Sequence, residues 1–465
     1  MVRLLPKDRK LRRWVIFILI ITFIMVASLL IYSVVASTKH KPDNPTPPPH
    51  IYEDPVAFHV YSRGNYTEVN STIRYENSYV NTGSMNLTTG VFLAPTDGTY
   101  VFNFIAPRYS NTTNDVLCLN VRLDRNGLPI GNGPICGHDY EQWTPASFNA
   151  VLNLKLNDTV EMFLEQGAII ASKGSDPPRT HFTGFLLEGE SAFHVFRTVD
   201  SFASRKNETI PFHGLNTDIE SNFNLTTSTF KAPVNGTYFF QFSGSSSITT
   251  DVILVRNDDE PMGYGYTRNT HWGSAGFHTL WPLQQGDKVY ARLNTGQLDE
   301  ADRDLKITNL LGFIVADEIS ELTNSSIHFH VIRTSEMYVG RPDGIGQVIN
   351  YTRIISNERD GMDANSGIFK APESGVYAFH FTSHRGNRYI GGPNACSTVI
   401  QMRNNETIGT SSNCHSTYSA PIFFHSVLSL DTNDEIKMLL HEGDINAVYE
   451  HKMCARFSGF LIYTT

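Results

Sequence analysis

Beyond residue 55 hydrophobic and polar positions alternate, and one alternating passage is written three times. Tyr100, Phe102 and Phe104 are interleaved with Thr99, Val101 and Asn103, which predicts a strand that buries one aromatic face. The passage Phe92, Ala94, Pro95, Gly98, Tyr100, Phe102, Phe104 returns as Phe230, Ala232, Pro233, Gly236, Tyr238, Phe240, Phe242 and as Phe369, Ala371, Pro372, Gly375, Tyr377, Phe379, Phe381, 138 and then 139 residues on. A Pro-x-x-Gly segment precedes each strand; Pro fixes one backbone angle and the small polar residues tolerate positive φ, so it predicts a tight turn. A second alternating block, Val151, Leu154, Asp158, Val160, Leu164, recurs as Leu280, Leu283, Asp287, Val289, Leu293 and as Val427, Leu430, Asp434, Ile436, Leu440. Asn157, Gly286 and Asn433 stand before the Asp and suit a left-handed turn. No copy carries a sustained helical period, so short strands and turns predict an antiparallel β-sandwich or jelly roll.

The repeat is bracketed by Phe-His-Val at Phe58, Phe193 and Phe329 and by Gly-Phe at Gly184, Gly312 and Gly459. A period near 135 residues exceeds the roughly 20 to 50 of solenoids and propellers and suits an independent domain with its own core. The expected domains are 56–189, 190–317 and 326–465.

The N-terminal part is different material. Residues 14–36 carry no charge over 23 positions, enough to cross the hydrocarbon layer at about 1.5 Å per residue. Six basic residues within 1–13 outweigh Asp8, so the positive-inside rule makes that tail cytosolic and everything after the span extracellular, a type II single-pass arrangement. A cleaved signal peptide ending near Ala36 is the competing reading; the apolar run is longer than such peptides use, which favours an uncleaved signal anchor. Residues 37–55, with six prolines, predict an extended stalk.

Two features fit an extracellular head. Eleven Asn-x-Ser/Thr sequons follow the span, at Asn65, Asn70, Asn86, Asn111, Asn157, Asn207, Asn224, Asn235, Asn324, Asn350 and Asn405. Cys118 and Cys136 lie 18 apart in the first copy, and Cys396 and Cys414 lie 18 apart at the matching place in the third, so each pair is read as an intradomain disulfide. Cys454 is left over, as a buried thiol or an interchain bridge. Beyond residue 13 there are 31 Lys and Arg against 45 Asp and Glu, a net −14 that disfavours nucleic acid, heparin and anionic lipid as ligands.

The opening Phe, the Gly-x-Tyr-x-Phe-x-Phe strand, Leu-x-x-x-Asp-x-Val and the closing Gly-Phe resemble the globular head domain of complement component 1q. The likeness extends to cerebellin and adiponectin heads and to the tumour necrosis factor fold, and covers Val56 to Thr465. The second copy departs from it, with Leu310 where the others have Phe182 and Phe457, and with no cysteine. The resemblance implies three ten-stranded-type antiparallel jelly rolls, all-β, following one transmembrane helix. It also implies packing about a three-fold axis and a function in binding rather than catalysis. Several relatives bind calcium through an Asp whose places here hold Thr144, Gly273 and Ala420, so calcium is not carried over and no cofactor is expected.

No nucleophile elbow, zinc-protease motif or phosphate loop is present, which speaks against an enzyme. His59, His194 and His330 recur at one position and face away from the sandwich core, so they are candidates to converge on the axis and bind a metal or sense pH; interface histidines bonded to backbone are the plainer reading. Asp299, Glu300, Asp302 and Asp304 form an acidic loop interrupted by Arg303, read as solvated. Loops 167–179, 297–306 and 443–452 differ most among the copies and are where recognition is expected.

Two functional classes follow: a head that recognises a protein receptor, glycan or other surface ligand, or an adhesion or matrix component acting by multivalent display. Gly189 and Glu190 join the first two copies and 318–325 the last two, which permits one chain to close as an intramolecular pseudo-trimer; a homotrimer of aligned chains is the rival.

Overall fold

The structure, a computed structural model, describes residues 55–465 apart from 109–116, 138–144, 170–176, 190, 199–201, 204–206, 259, 268–272, 300–304, 323–324, 340–345, 386–395, 415–420 and 446–454. Pro55–Thr465 forms one compact unit.

Each copy is built on a pair of antiparallel sheets, to which the second adds two short two-stranded ones. In the first, the inner sheet runs Asn77–Asn81, Ala57–Ser62, Thr180–Leu187, Gly98–Pro107, Pro145–Leu154, and the outer sheet runs Met85–Asn86, Val91–Leu93, Thr159–Gln166, Leu117–Arg125, Leu128–Gly137. The second copy repeats the inner order with Gly214–Asp218, Ala192–Phe196, Asn309–Asp317, Gly236–Ser243 and Phe277–Leu283. The third does so with Arg353–Glu358, His328–Arg333, Ala455–Thr464, Gly375–His384 and Pro421–Leu430. In each copy the first and last strands are neighbours, the closure of a jelly roll.

The recurring residues are those the fold spends on local geometry. After the Pro turn, Tyr100, Tyr238 and Tyr377 each donate a phenolic hydrogen bond to the carbonyl four residues earlier, at 2.9, 2.9 and 2.7 Å, clamping the turn to the strand. Asn157, Gly286 and Asn433 take φ of 69°, 94° and 73°, the left-handed conformation their types suit. The Asp that follows accepts the backbone N–H three residues back, from Lys155, Gln284 or Asp431. Its other oxygen accepts from Asn126, Asn257 or Asn404, each the left-handed residue of a hairpin on the adjacent strand. The Gly before each closing Phe leaves room for rings: a Cβ at Gly459 would stand 2.5 Å from Phe329 and 2.7 Å from Phe379, and Gly184 and Gly312 are equally crowded.

The strand expected to bury one face buries both. Tyr238, Phe240 and Phe242 enter their own sandwich core, while Phe239 on the opposite face joins a separate apolar cluster drawn from all three copies. That shared cluster contains Ala57, Val101 and Phe185 of the first copy, Phe239, Leu280 and Phe313 of the second, and Val376, Val427 and Phe460 of the third. At its centre stand the three Phe of the closing Gly-Phe motif. Phe185, Phe313 and Phe460 meet pairwise edge to face, with centroids 6.3, 5.9 and 6.0 Å apart and interplanar angles of 75°, 67° and 70°. Such pairs add about 0.5–1.5 kcal/mol each beyond the area they bury.

Cys118 is bridged to Cys136 and Cys396 to Cys414, each across directly opposed positions of an outer-sheet hairpin. The second copy does without a bridge and seats Leu310 fully buried in its core. The second linker is partly coiled rather than extended: Glu318–Leu322 is a short helix whose Ser320 N–H is capped by the Asp317 carboxylate at 2.8 Å. Residues 14–36, the expected span, lie outside the described residues, and among the described residues no helix is long and apolar enough to cross a membrane. Cys454 also lies outside them.

Replacing a triad ring should cost about 3–5 kcal/mol, as for other buried Phe→Ala changes. Phe313→Ala is therefore expected to lower the thermal midpoint clearly and Phe313→Leu much less; a midpoint unchanged in Phe313→Ala would contradict the central placement of these rings.

Candidate functional site

Each copy meets the next through one kind of seam. The opening half of an inner sheet lies against the last inner strand of a neighbour: first copy on third, second on first, third on second. Tyr79 donates to the Ile408 carbonyl at 2.6 Å and Arg179 to Ser412 Oγ at 2.9 Å. Thr217 donates to the Val151 carbonyl at 2.7 Å and accepts from Asn153 N–H at 3.2 Å. The Arg456 guanidinium donates to the Tyr264 carbonyl at 2.9 Å and lies 5.6 Å from the Phe277 ring centroid.

The sequence candidates His59, His194 and His330 are fully buried in these seams, one to each. They do not converge on the axis. The axis is lined by the closing strands carrying the Phe triad, and the opening strands lie one place further out in the sheet order. Among the described residues no group of three or more metal-type side chains stands together. Each histidine is held by polar partners instead.

At the His59 seam, His59 Nδ1 lies 3.2 Å from the Val427 carbonyl oxygen and 3.4 Å from its N–H, and His59 Nε2 shares a hydrogen bond with His181 Nδ1 at 3.0 Å. The other nitrogen of His181, Nε2, lies 3.0 Å from the Pro178 carbonyl. At the third seam Thr279 Oγ1 donates to the Met262 carbonyl, so it accepts from His330 Nε2, and His330 Nδ1 accepts from Ser458. His194 Nδ1 accepts from Asn216 Nδ2 at 3.3 Å.

The sequence pattern missed further buried histidines that recur in only part of the repeat: His278 and His425 occupy one position in the second and third copies, and His380 lies opposite His425. His278 bonds Thr382 across a seam at 2.7 Å, and His380 and His425 share a hydrogen bond at 2.9 Å. With His330 they form a file of rings: His330 to His278 6.3 Å, His278 to His380 5.7 Å, His380 to His425 5.0 Å. The signal that could have found them is alternation: His278, His380 and His425 sit on inner strands at positions whose neighbours enter the sandwich core. In the first copy the paired positions corresponding to His380 and His425 are Asn103 and Asn149.

Burial holds these imidazoles neutral. It lowers His181 to about 4 and His194, His330, His384 and His425 to about 3, and puts His59, His278 and His380 well below the ordinary value. Neighbouring charge adds in the same direction: Arg456 beside His278, His330 and His384, Arg353 beside His330, Lys306 beside His194, and the other histidines on one another.

Other sequence candidates are placed as follows. Asp299 accepts from Ser247 N–H and from Gln297, while Glu300, Asp302 and Asp304 lie outside the described residues, as do Thr144, Ala420 and most of the three variable loops. Gly273 pairs with Ser246 in a short strand. Asn111 and Asn324 fall outside too; the other nine sequon asparagines are exposed.

Comparison with known proteins bears on the three copies directly. The C1q domain family model matches residues 57–187, 192–315 and 328–462. Complement C1q tumor necrosis factor-related protein 3 of Homo sapiens is 31% identical over 99 residues, which are 20% of this chain and 40% of that protein. The Mus musculus protein of the same name matches to the same extent. The chain thus spans 40% of the length of these relatives. Among solved structures, the globular domain of zebrafish complement 1qA protein is 19% identical, covers 30% of this chain and 99% of its own, and has a TM-score of 0.23.

Histidines kept neutral in the fold but free to protonate near 6.5 when exposed make the native state bind fewer protons below that pH. Stability is then full above 6.5 and is lost as pH falls toward the folded values, by about 1.4 kcal/mol per pH unit for each such group. The thermal midpoint is expected to drop steeply from pH 6.5 to pH 4. His380→Asn with His425→Asn, the first copy's own pair, should make the slope shallower; equal slopes in variant and wild type would refute the role given to these two groups.

Proposed function

The chain belongs to the C1q domain family, and on that premise we propose that it is a membrane-tethered extracellular recognition protein whose single chain supplies a complete three-domain head. Proteins of this family are extracellular binding modules. Tethering rests on the apolar run at 14–36 with its basic flank, and on the Pro-rich segment after it acting as a stalk. Nine exposed sequon asparagines fit glycosylation of the same part of the chain.

The observation that carries the one-chain head is that three seams of one kind leave no copy with an open partner face. A heterologous contact repeated three times closes as a ring. Copies tethered by short linkers meet at an effective concentration on the order of millimolar, which favours this closure over recruitment of other chains. The contacts in the three seams differ residue by residue, as expected where each copy faces two different neighbours.

Recognition is assigned to the variable loops 167–179, 297–306 and 443–452, with a protein receptor or glycan as ligand. Saturable binding of one ligand class on a glycan array or a receptor panel supports recognition, whereas binding that appears only with clustered heads favours adhesion by multivalent display.

Light scattering on deglycosylated protein should give the mass of one chain; a mass of three chains would end the one-chain reading. Full-length protein is expected in the membrane fraction of producing cells. Recovery from medium only, lacking the first 36 residues, would replace the anchor with a cleaved signal peptide.

A further inference from the structure

The three closing strands, together with segments next to the links between copies, line a cavity of about 750 Å³. Its walls come from every copy: Leu187 and Glu188 of the first, Ile314 and Asp317 of the second, Ile462 and Tyr463 of the third. Phe185 and Phe460 of the axial triad also line it. The volume falls within the range of small-molecule sites, roughly 300–1,000 Å³.

We infer that this cavity binds an amphipathic amine, with its apolar chain against the axial wall and its ammonium among the carboxylates. The inference rests on the one-chain head proposed above, since residues of all three copies build the site.

Three observations specify the chemistry. The carboxyl-bearing residues Glu188, Glu220 and Asp317 line the cavity, and no Lys, Arg or His does so among the described residues. Carboxylates hold an ammonium through charge-assisted hydrogen bonds. Val315, Ile462 and Tyr463 remain part-exposed although they pack on the axial apolar cluster, so apolar surface is left facing the cavity.

The third observation is independent of the acids. Ser191 and Ser326 line the cavity at 3% and 9% exposure, and among the described residues neither hydroxyl has a hydrogen-bond partner. Buried hydroxyls are ordinarily paired, so two unpaired ones held within the cavity wall can each turn toward a polar group of a ligand. Both lie near the Asp317 end of its strand. The Ser191 carbonyl accepts from Ile314 N–H at 3.0 Å, and Ser326 N–H reaches the Ser320 carbonyl, whose residue caps onto Asp317. Partial desolvation beside the cavity wall also raises the carboxyl of the exposed Glu188 above its ordinary value, a cost that a bound cation would offset.

Fragment 55–465 contains all three cores in one compact unit and is the material for the test. Its mass is measured first. Dodecylamine, dodecyl sulfate and dodecyl maltoside are then titrated below their micelle-forming concentrations by calorimetry. The expected result is saturable binding of one dodecylamine per chain, with the other two at least about ten-fold weaker. Glu188→Gln with Asp317→Asn, which keeps an acceptor for Ser320 N–H, should weaken dodecylamine by about ten-fold or more, the loss of one charge-assisted bond. Glu188→Gln alone, at an exposed position, serves if the double variant is unstable, and should weaken binding measurably. A one-chain mass with no saturable amine binding, with equal affinity for all three amphiphiles, or with wild-type affinity in the charge variants overturns this inference alone. A three-chain mass ends the one-chain head and the site built on it.

Discussion

Phe185, Phe313 and Phe460 pack edge to face at the point where the three copies meet, and much of the rest of the head follows from what that contact requires. Each ring lies on the central strand of an inner sheet whose other face is already committed to a sandwich core. The central strands of the inner sheets are therefore buried on both faces, and exposure is left to the edge strands such as Asn77–Asn81 and Arg353–Glu358. The Gly before each Phe removes a side chain where rings from the two flanking strands crowd in. Antiparallel sheets usually leave one face wet, and the chain departs from that because a second layer of apolar contacts stabilises the assembly of copies as well as the copies themselves.

A sheet buried on both faces makes polar residues on its outward positions consequential. His59, His194, His278, His330, His380 and His425 all sit there, and each has at least one hydrogen-bond partner. Burial makes the charged form costly, so these groups are held neutral and choose their tautomers from the acceptors around them. The seams thus join shape recognition to protonation: what lets one copy identify its neighbour is also what acid would disturb. Arg456, buried with its guanidinium on the Tyr264 carbonyl, adds a fixed positive charge that reinforces the same bias for His278, His330 and His384.

The two ends of the head differ in kind. At the linker end the chain passes from copy to copy in a few residues, beside a cavity walled by Phe, Ile and carboxyl-bearing residues. Away from it, the outer hairpins of the first and third copies are stapled by disulfides, while the second relies on packing around Leu310 and Phe277. A scaffold fixed this way holds differing loops on three near-equivalent frames.

The family's fold was legible because its signals are local. Pro-x-x-Gly-x-Tyr encodes a turn and the carbonyl four residues back that the phenol seeks; Asn, Gly or Asn before Asp encodes a left-handed turn closed by the carboxylate; paired cysteines 18 apart encode a hairpin register. Each lies within one copy, and a residue's type and spacing suffice to state it. What surrounds the outward face of each strand is not local. Val101, Phe239 and Ala378 occupy matching positions, yet nothing in their spacing says that they meet other copies rather than solvent. The same holds for the histidines. Recurrence singled out His59, His194 and His330 and suggested convergence, but the sheet order puts them in separate seams. His278 and His425 share one position that is Asn149 in the first copy, and His380 matches Asn103 and Gln241, so a search for residues common to all three copies passed over them. Sequence by itself determined the three jelly rolls, since turns and alternation act over a few residues. Only the tertiary structure decided how the copies face one another, because contacts between strands more than a hundred residues apart depend on sheet order and complementary surfaces that no single stretch of chain contains.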